Sequence, residues 1–260
     1  MPHAAHPDSL PTAALVTGAA RRIGRALALS LAEAGFAVAV HYNGSAEAAE
    51  EVVRLIGRGG GRAVALQADL AEEAQAARLL PAAVEALGPL GVLVNNASTF
   101  ERDEWHDATR ESWDHHLEPN LRAPFVLSQA FARQLPEDAG GLIVNLLDQR
   151  VWNLTPHFVS YTVSKAALWT LTRSLALALA PRIRVNGIGP GPALPSPRQS
   201  DAQFTRQAAS TPLGRGTDPE EICRTLRFLL EARSMTGQMI ALDGGQHLNW
   251  SPASGPPVEE

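Results

Sequence analysis

Tyr161-Thr162-Val163-Ser164-Lys165 sets a phenol and an ammonium four residues apart. On a helix that spacing puts both side chains on one face, about one turn from each other. A phenol ordinarily ionises near pH ~10, and a neighbouring ammonium favours the ionised form, so the pair can give or take a proton near neutrality. Lys165 could also hold a ribose. A bare Tyr-x-x-x-Lys arises often by chance, and its weight comes from its surroundings. Asp148 stands thirteen residues before the tyrosine, and Phe100 ends the run Asn95-Asn96-Ala97-Ser98-Thr99-Phe100. A carboxylate beside Tyr161 could orient or resupply its proton. It would also oppose a tyrosinate, which leaves its own protonation open. Alternatively, Asp148 is an ordinary polar loop residue and Phe100 a core aromatic.

A second group of residues suits a nucleotide. Thr17-Gly18-Ala19-Ala20-Arg21-Arg22-Ile23-Gly24 follows an apolar run and opens a helical one. Small residues there let backbone approach a pyrophosphate, and the helix N-terminus offers free N–H groups and a partial positive charge. The turn does not match Gly-x-Gly-x-x-Gly, so a plain strand-to-helix turn is the alternative. The second apolar run ends in His41-Tyr42-Asn43-Gly44-Ser45. It lacks the carboxylate that commonly holds the ribose 2′-hydroxyl of NAD. A 2′-phosphate is therefore admissible, with Arg22 to pair with it and Ser45 to donate a hydrogen bond, and NADPH is the expected cofactor. A solvated Arg22 with weak discrimination is the alternative. Asp69, followed by Leu70, could accept from an adenine amino group or cap the next helix. Asn96, Ala97 and Ser98 end the fourth apolar run, where ligands gather in parallel sheets.

The elements that must hold these groups alternate. Strands are predicted at 13–18, 37–43, 63–69, 92–97, 141–147, 183–188 and 238–242, and helices at 22–34, 46–57, 72–87, 112–135, 158–180 and 218–231. Short apolar runs between helices imply an α/β, Rossmann-like, doubly wound parallel sheet of seven strands with helices on both faces. One catalytic domain is expected over 12–250, with poorly ordered tails at 1–11 and 251–260. Pro190–Ser210, rich in Pro, Ser and Gln, is predicted as a long loop or lid that shapes a pocket with His157 and Phe158, Trp152 and Leu154 serving as further walls.

Bulk properties narrow the partners. The chain has 260 residues, 45% hydrophobic and 19% charged, enough for a substantial core, and its net charge of −5 provides no basic surface for nucleic acid or acidic membranes. A small diffusible substrate fits better. A single cysteine, Cys223, excludes an internal disulfide and is expected as buried packing in a reducing compartment. No targeting or membrane-spanning run is evident, so a cytoplasmic location is expected. His115 and His116 are neighbours on a helix, where successive side chains diverge by about 100°, and with no third ligand in register no metal site is expected.

Together, the Thr17-Gly18 turn, Asp69, Asn95-Asn96-Ala97, Asn120, Tyr161 with Lys165, and Pro190-Gly191 resemble the short-chain dehydrogenase/reductase family, over residues 12–249. The resemblance implies nicotinamide-dependent hydride transfer, Asn120 holding a water in a proton relay, and a homo-oligomer, commonly a tetramer. Two positions depart from the family pattern: Asp148 stands where a serine is usual, and Arg22 where a glycine is usual. Both departures resemble the pteridine and dihydromonapterin reductases, as do His41-Tyr42-x-x-Ser45 and Asn95 to Phe100. There the resemblance implies that Arg22 meets cofactor phosphate and pterin. It further implies that Ser98 lines the pterin site, Phe100 stacks on the ring, and Asp148 works with Tyr161 in protonating a ring nitrogen. A basic residue that helps hold the 2′-phosphate in some members is Gly44 here. The expected activity is NADPH-dependent reduction of a C=N bond of a dihydropterin. The alternatives are a carbonyl or hydroxyl oxidoreductase, with Asp148 a substituted serine, and a non-catalytic NADPH sensor, against which the retention of Asn120, Tyr161 and Lys165 argues.

Overall fold

The computed structural model describes residues 10–248 except Pro197; the segments 1–9 and 249–260, which contain most of the expected tails, lie outside the described residues. Ala13–Val16 (β1) is buried along its whole length, because Ala14 and Val16 point into one core while Ala13 and Leu15 point into the other. A strand covered on both faces reads as an unbroken apolar run rather than an alternating one. β1 pairs in parallel with Ala37–Tyr42 (β2) on one side and Val92–Asn95 (β4) on the other. Ala63–Gln67 (β3), Gly141–Leu146 (β5), Ile183–Pro190 (β6) and Met239–Leu242 (β7) complete a seven-stranded parallel sheet of order β3-β2-β1-β4-β5-β6-β7. The order reverses between β1 and β4, and the crevice above such a switch point is where ligands bind in this architecture.

Helices Arg22–Glu33 (α1), Ala46–Arg58 (α2) and Pro219–Glu231 (α8) cover one face through Leu27, Leu31, Val52, Ile222 and Leu226. Cys223 is buried in that same core. Glu73–Leu87 (α3) and Ala123–Gln134 (α5) cover the other with Leu79, Leu80, Leu127 and Phe131. Among the described residues, no helix is long and apolar enough to cross a membrane, and no group of three metal-ligating side chains occurs.

Three expectations are corrected. The helix predicted over 112–135 is broken into Arg110–Leu117 (α4), a π turn at Glu118–Arg122, and α5. Pro119 has no N–H for the i→i−4 ladder, and the widened turn absorbs the fault. Pro190–Ser210 is not a loop throughout. Pro190 still pairs with Leu242 at the end of β6, and Asp201–Ala209 (α7) is a helix started by a capping box between Ser200 and Gln203. The predicted strands run one or two residues too far at 18, 43, 69 and 97; those residues have left the sheet and form the floor above it.

Candidate active site

The floor is built by backbone that folds back on itself. Thr17 Oγ1 accepts from the N–H groups of Asn96 (2.9 Å) and Ala97 (3.0 Å), while the Asn96 amide donates to Thr17 O at 2.8 Å. Gly18 has φ +62°, and a Cβ there would lie 3.0 Å from Ala97 Cα. At Gly24 a Cβ would sit 2.1 Å from the Gly18 carbonyl, so α1 can rest on the turn only as glycine. His41 Nδ1 accepts from Gly18 N–H at 2.9 Å, which leaves Nε2 to donate to Ala68 O at 3.0 Å. Burial lowers the pKa of this imidazole, as suits a neutral ring that must accept.

Gly18, Arg22, Ile23, Gly24, His41, Asn43, Asp69, Leu70, Asn96, Ala97 and Ser98 line a single groove of about 540 Å³ above the switch point. Tyr42 and Ser45 are not among its lining residues. Asp69 turns its carboxylate to Ala71 N–H at 2.9 Å and does not begin the next helix, whose N-cap is Glu72. The groove fits a dinucleotide. The α1 N-terminus carries Arg21 and Arg22 with no acid in its first turn. A helix dipole disfavours that arrangement unless an anion sits there.

The chemical end lies above β5. Tyr161 and Lys165 stand in the first two turns of Val159–Ala178 (α6), 6% and 3% exposed. Tyr161 Oη donates to Asp148 Oδ2 at 2.8 Å, and Asp148 Oδ1 accepts from Arg150 N–H at 2.8 Å, capping the single turn Gln149–Val151. Lys165 Nζ donates to Leu146 O at 2.8 Å and lies 5.9 Å from the centre of the Tyr161 ring. Burial pushes its pKa down to about 8, against the pull of the Asp148 carboxylate. Phe100 meets Tyr161 edge-on with centroids 4.6 Å apart, and Phe158 stacks on Phe100 at 4.6 Å and 10°.

Asn120 sits on the π turn and is spent on structure. Its amide accepts from Thr99 N–H (2.8 Å) and donates to Thr99 O (2.9 Å) and Ser164 Oγ (3.0 Å), tying the Phe100 segment to α6.

Arg22, Phe100, Asp148, Phe158, Pro190 and Gly191 wall a second cavity of about 180 Å³, closed by the segment that includes Leu194, Arg198 and Phe204. Arg22 borders both cavities, so they meet at its side chain. Its guanidinium donates to Leu194 O and Pro195 O, and Arg198 bonds Phe100 O and the Glu101 carboxylate, so two arginines tie this segment to the rest of the cavity wall. The only non-glycine residues with positive φ among those described are Arg22 (+52°) and Phe158 (+58°), and both border this cavity. Strain of that kind costs about 1–3 kcal/mol and gathers where function over-determines the backbone.

Trp152 and Leu154, expected as walls, are not lining residues. Trp152 packs edge-on against Trp169 and His247 instead. His157 pairs with Glu104 outside the cavity. Arg150, Arg198, Phe204, Gln207 and Gln246 also line it; Arg198, Phe204 and Gln207 were expected there only as part of the Pro190–Ser210 segment, and Arg150 and Gln246 were not expected. Isolated residues on a lid carry no spacing signal, and only the capping box at Ser200 could have placed Phe204 on a helix.

A family model described as enoyl-(acyl carrier protein) reductase matches residues 18–247. An uncharacterized oxidoreductase of Methylorubrum extorquens is 37% identical, the match covering 89% of this chain and 96% of that one. Two solved structures are similar throughout, both of FolM alternative dihydrofolate reductase 1 with NADP. The Brucella canis protein is 48% identical with a TM-score of 0.90, over 94% of this chain and 97% of that one. The Brucella suis protein is 50% identical with a TM-score of 0.89, over 92% and 96%. Tyr161 and Lys165 are not among the lining residues of either cavity; with the parallel sheet, the switch-point groove and the Tyr161–Lys165 pair above β5, these matches establish that the chain belongs to the short-chain dehydrogenase/reductase family of oxidoreductases.

Proposed function

We propose that the protein is an NADPH-dependent reductase acting on a C=N bond of a dihydropterin. The observation that carries this is the 2.8 Å bond from the Tyr161 phenol to the carboxylate of Asp148, which lines a cavity together with Phe100. A carbonyl reductase needs a neutral hydroxyl donor to the reacting oxygen. Reduction at a ring C=N, like that of a carbonyl, consumes one proton with each hydride, and a carboxyl group beside the phenol can relay that proton where a serine hydroxyl would only hydrogen-bond. Asp148 stands where it can resupply the phenol.

NADP(H) accounts for the groove. Both Brucella relatives were crystallised with NADP. The residues at the end of β2 include no acid to repel a 2′-phosphate. Arg22 and the α1 N-terminus would hold phosphate, Gly18 and Asn96 to Ser98 would form the floor, Lys165 would hold the nicotinamide ribose, and Pro190-Gly191 would border the nicotinamide end. The bound dinucleotide supplies the hydride. Phe100 offers a flat apolar face that orients an aromatic ring by stacking. Tyr161 would hand its proton to the ring nitrogen, and Asp148, after taking up a proton from water at the half-open cavity, would pass it on to the phenolate. The Lys165 ammonium eases departure of that proton by stabilising the phenolate. We further read the protein as a homo-oligomer, with tetramers common among relatives of this kind.

Two outcomes follow at the cofactor end. Arg22→Gly relieves the left-handed strain but gives up the bonds to Leu194 O and Pro195 O, so with glycine's own entropy added, stability should stay within about 1 kcal/mol of wild type. NADPH binding should weaken about tenfold with loss of the phosphate-pairing guanidinium. A melting curve and a fluorescence titration check both; a destabilised variant with full NADPH affinity would contradict them. For Lys165, the ammonium persists below about pH 8 and is lost above it. kcat/KM should therefore fall on the alkaline side of about pH 8. In Lys165→Arg, which stays charged to above pH ~12, that limb should move upward. An unmoved limb would show that another group sets it.

The function is tested by following NADPH absorbance with dihydrobiopterin, dihydromonapterin, dihydrofolate and a simple ketone in parallel. Turnover of at least one dihydropterin well above the ketone is expected. The reverse order would replace this function with carbonyl reduction.

A further inference from the structure

α6 begins without the usual cap. Phe158, its N-cap residue, has a left-handed backbone and no side-chain acceptor for the free N–H groups. The acceptor comes from the segment between β4 and α4. Asp103, itself buried, takes the N–H of Ser160 at 3.1 Å, the hydroxyl of Ser160, and the hydroxyl of Ser112 at 3.1 Å.

His116 of α4 completes this hub and is wholly inaccessible, at 0% exposure. Its Nε2 accepts from Glu101 N–H at 2.9 Å, so the neutral ring carries its hydrogen on Nδ1. That nitrogen faces Ser112 O at 3.0 Å and Ser160 Oγ at 2.7 Å. Ser160 gives its only hydroxyl hydrogen to Asp103 and can therefore only accept from His116. Donation runs one way, from imidazole to hydroxyl to carboxylate.

The two ends of this chain of bonds sit next to the site. Glu101 follows Phe100, and Ser160 precedes Tyr161. An imidazole offers a rigid span with an acceptor on one edge and a donor on the other, and the Tyr161 ring lies 6.0 Å from it. We propose that His116 is a positioning residue of the active site, a neutral imidazole that fixes the Phe100 ring against the Tyr161 phenol by holding Glu101 N–H on one edge and Ser160 on the other. The role assigned to Phe100 in orienting substrate rests on the function proposed above; the mechanical tie does not.

The groups facing His116 are Asp103 and Glu101 from the loop, His115 from its own helix, and the Tyr161 ring from α6. Burial outweighs the attraction of the two carboxylates and lowers the imidazole's pKa, so it is neutral at pH 7. Once protonated, Nε2 becomes a donor pointed at another donor, Glu101 N–H, and the bond to the Phe100 segment is lost. Acid should therefore loosen the site.

The experiment compares wild type, His116→Leu and His116→Gln, each saturated with NADPH, by amide hydrogen exchange over residues 99–105 and by KM and kcat for a dihydropterin across pH. The Gln side chain can keep an acceptor near Glu101 N–H but cannot titrate. In His116→Leu the Glu101 amide should exchange at least about tenfold faster. KM should rise about tenfold or more, because stacking geometry is lost, while NADPH affinity stays within about twofold. In His116→Gln most of both effects should be rescued, and the acid-side rise of KM expected of wild type should be absent. The proposal is overturned if His116→Leu leaves Glu101 exchange and KM within about twofold of wild type, or if NADPH affinity falls in step with KM, the mark of a general packing defect. Should His116→Leu fail to fold, the pH profile of His116→Gln decides alone: an acid rise in KM identical to wild type overturns it. A wild type that turns over no dihydropterin would sink the proposed function, and the exchange arm would still decide the tie.

Discussion

Tyr161→Phe should lower kcat for dihydropterin reduction by at least about 10²-fold, the scale on which a positioned general acid contributes, while NADPH binds as in wild type. The substitution removes one oxygen from a ring already fixed by its edge-on contact with Phe100 and by its place in the first turn of α6. Asp148 Oδ2, which accepts from the phenol, is half-buried and adjoins the cavity, so water can take the vacated place. Folding should therefore change little and chemistry a great deal. Steady-state kinetics beside a melting curve separates the two. A variant that keeps more than a tenth of wild-type kcat would remove Tyr161 from the proton path.

Asp148→Ser carries the second largest expected effect and bears on the reaction type. Serine can still cap the Gln149–Val151 turn by accepting from Arg150 N–H, so the local fold should survive. It cannot bring a proton back to Tyr161 as a carboxylic acid does. Turnover of dihydropterins should drop about 10²-fold, and any activity on small ketones should hold or rise, because a neutral hydroxyl then faces a reacting carbonyl. Unchanged pterin turnover in the variant would exclude an essential carboxylate.

Much of this was legible in the chain itself. Buried parallel strands announce themselves as unbroken apolar runs, and all seven were placed to within a few residues, as β1 with its two-sided burial illustrates. The glycines at 18 and 24 were readable from their place between an apolar run and a helical one, and the close approach of Ala97 to Gly18 and of the Gly18 carbonyl to Gly24 accounts for them. What escaped was set by tertiary context. Pro119 gave no hint that its helix would widen into a π turn rather than end. The ties of the Asn120 side chain to Thr99 and Ser164 depend on where the Phe100 segment and α6 fall in space. His41 lines the groove as expected, yet both ring nitrogens serve the backbone. Arg22 was noted for its charge; that it keeps the left-handed conformation of a glycine position is a fact of the backbone, which residue type does not reveal. Asp103 and Ser160 drew no attention because an acceptor lent to another helix leaves no spacing pattern along the chain.

A crystal structure of the wild-type protein with NADP and a dihydropterin tests the central claim most directly. The pterin ring should lie against Phe100 at stacking distance, ~3.5–4 Å, with a ring nitrogen within about 3.2 Å of Tyr161 Oη. A pterin bound away from Phe100, or a phenol turned from the nicotinamide end of the groove, would contradict the account.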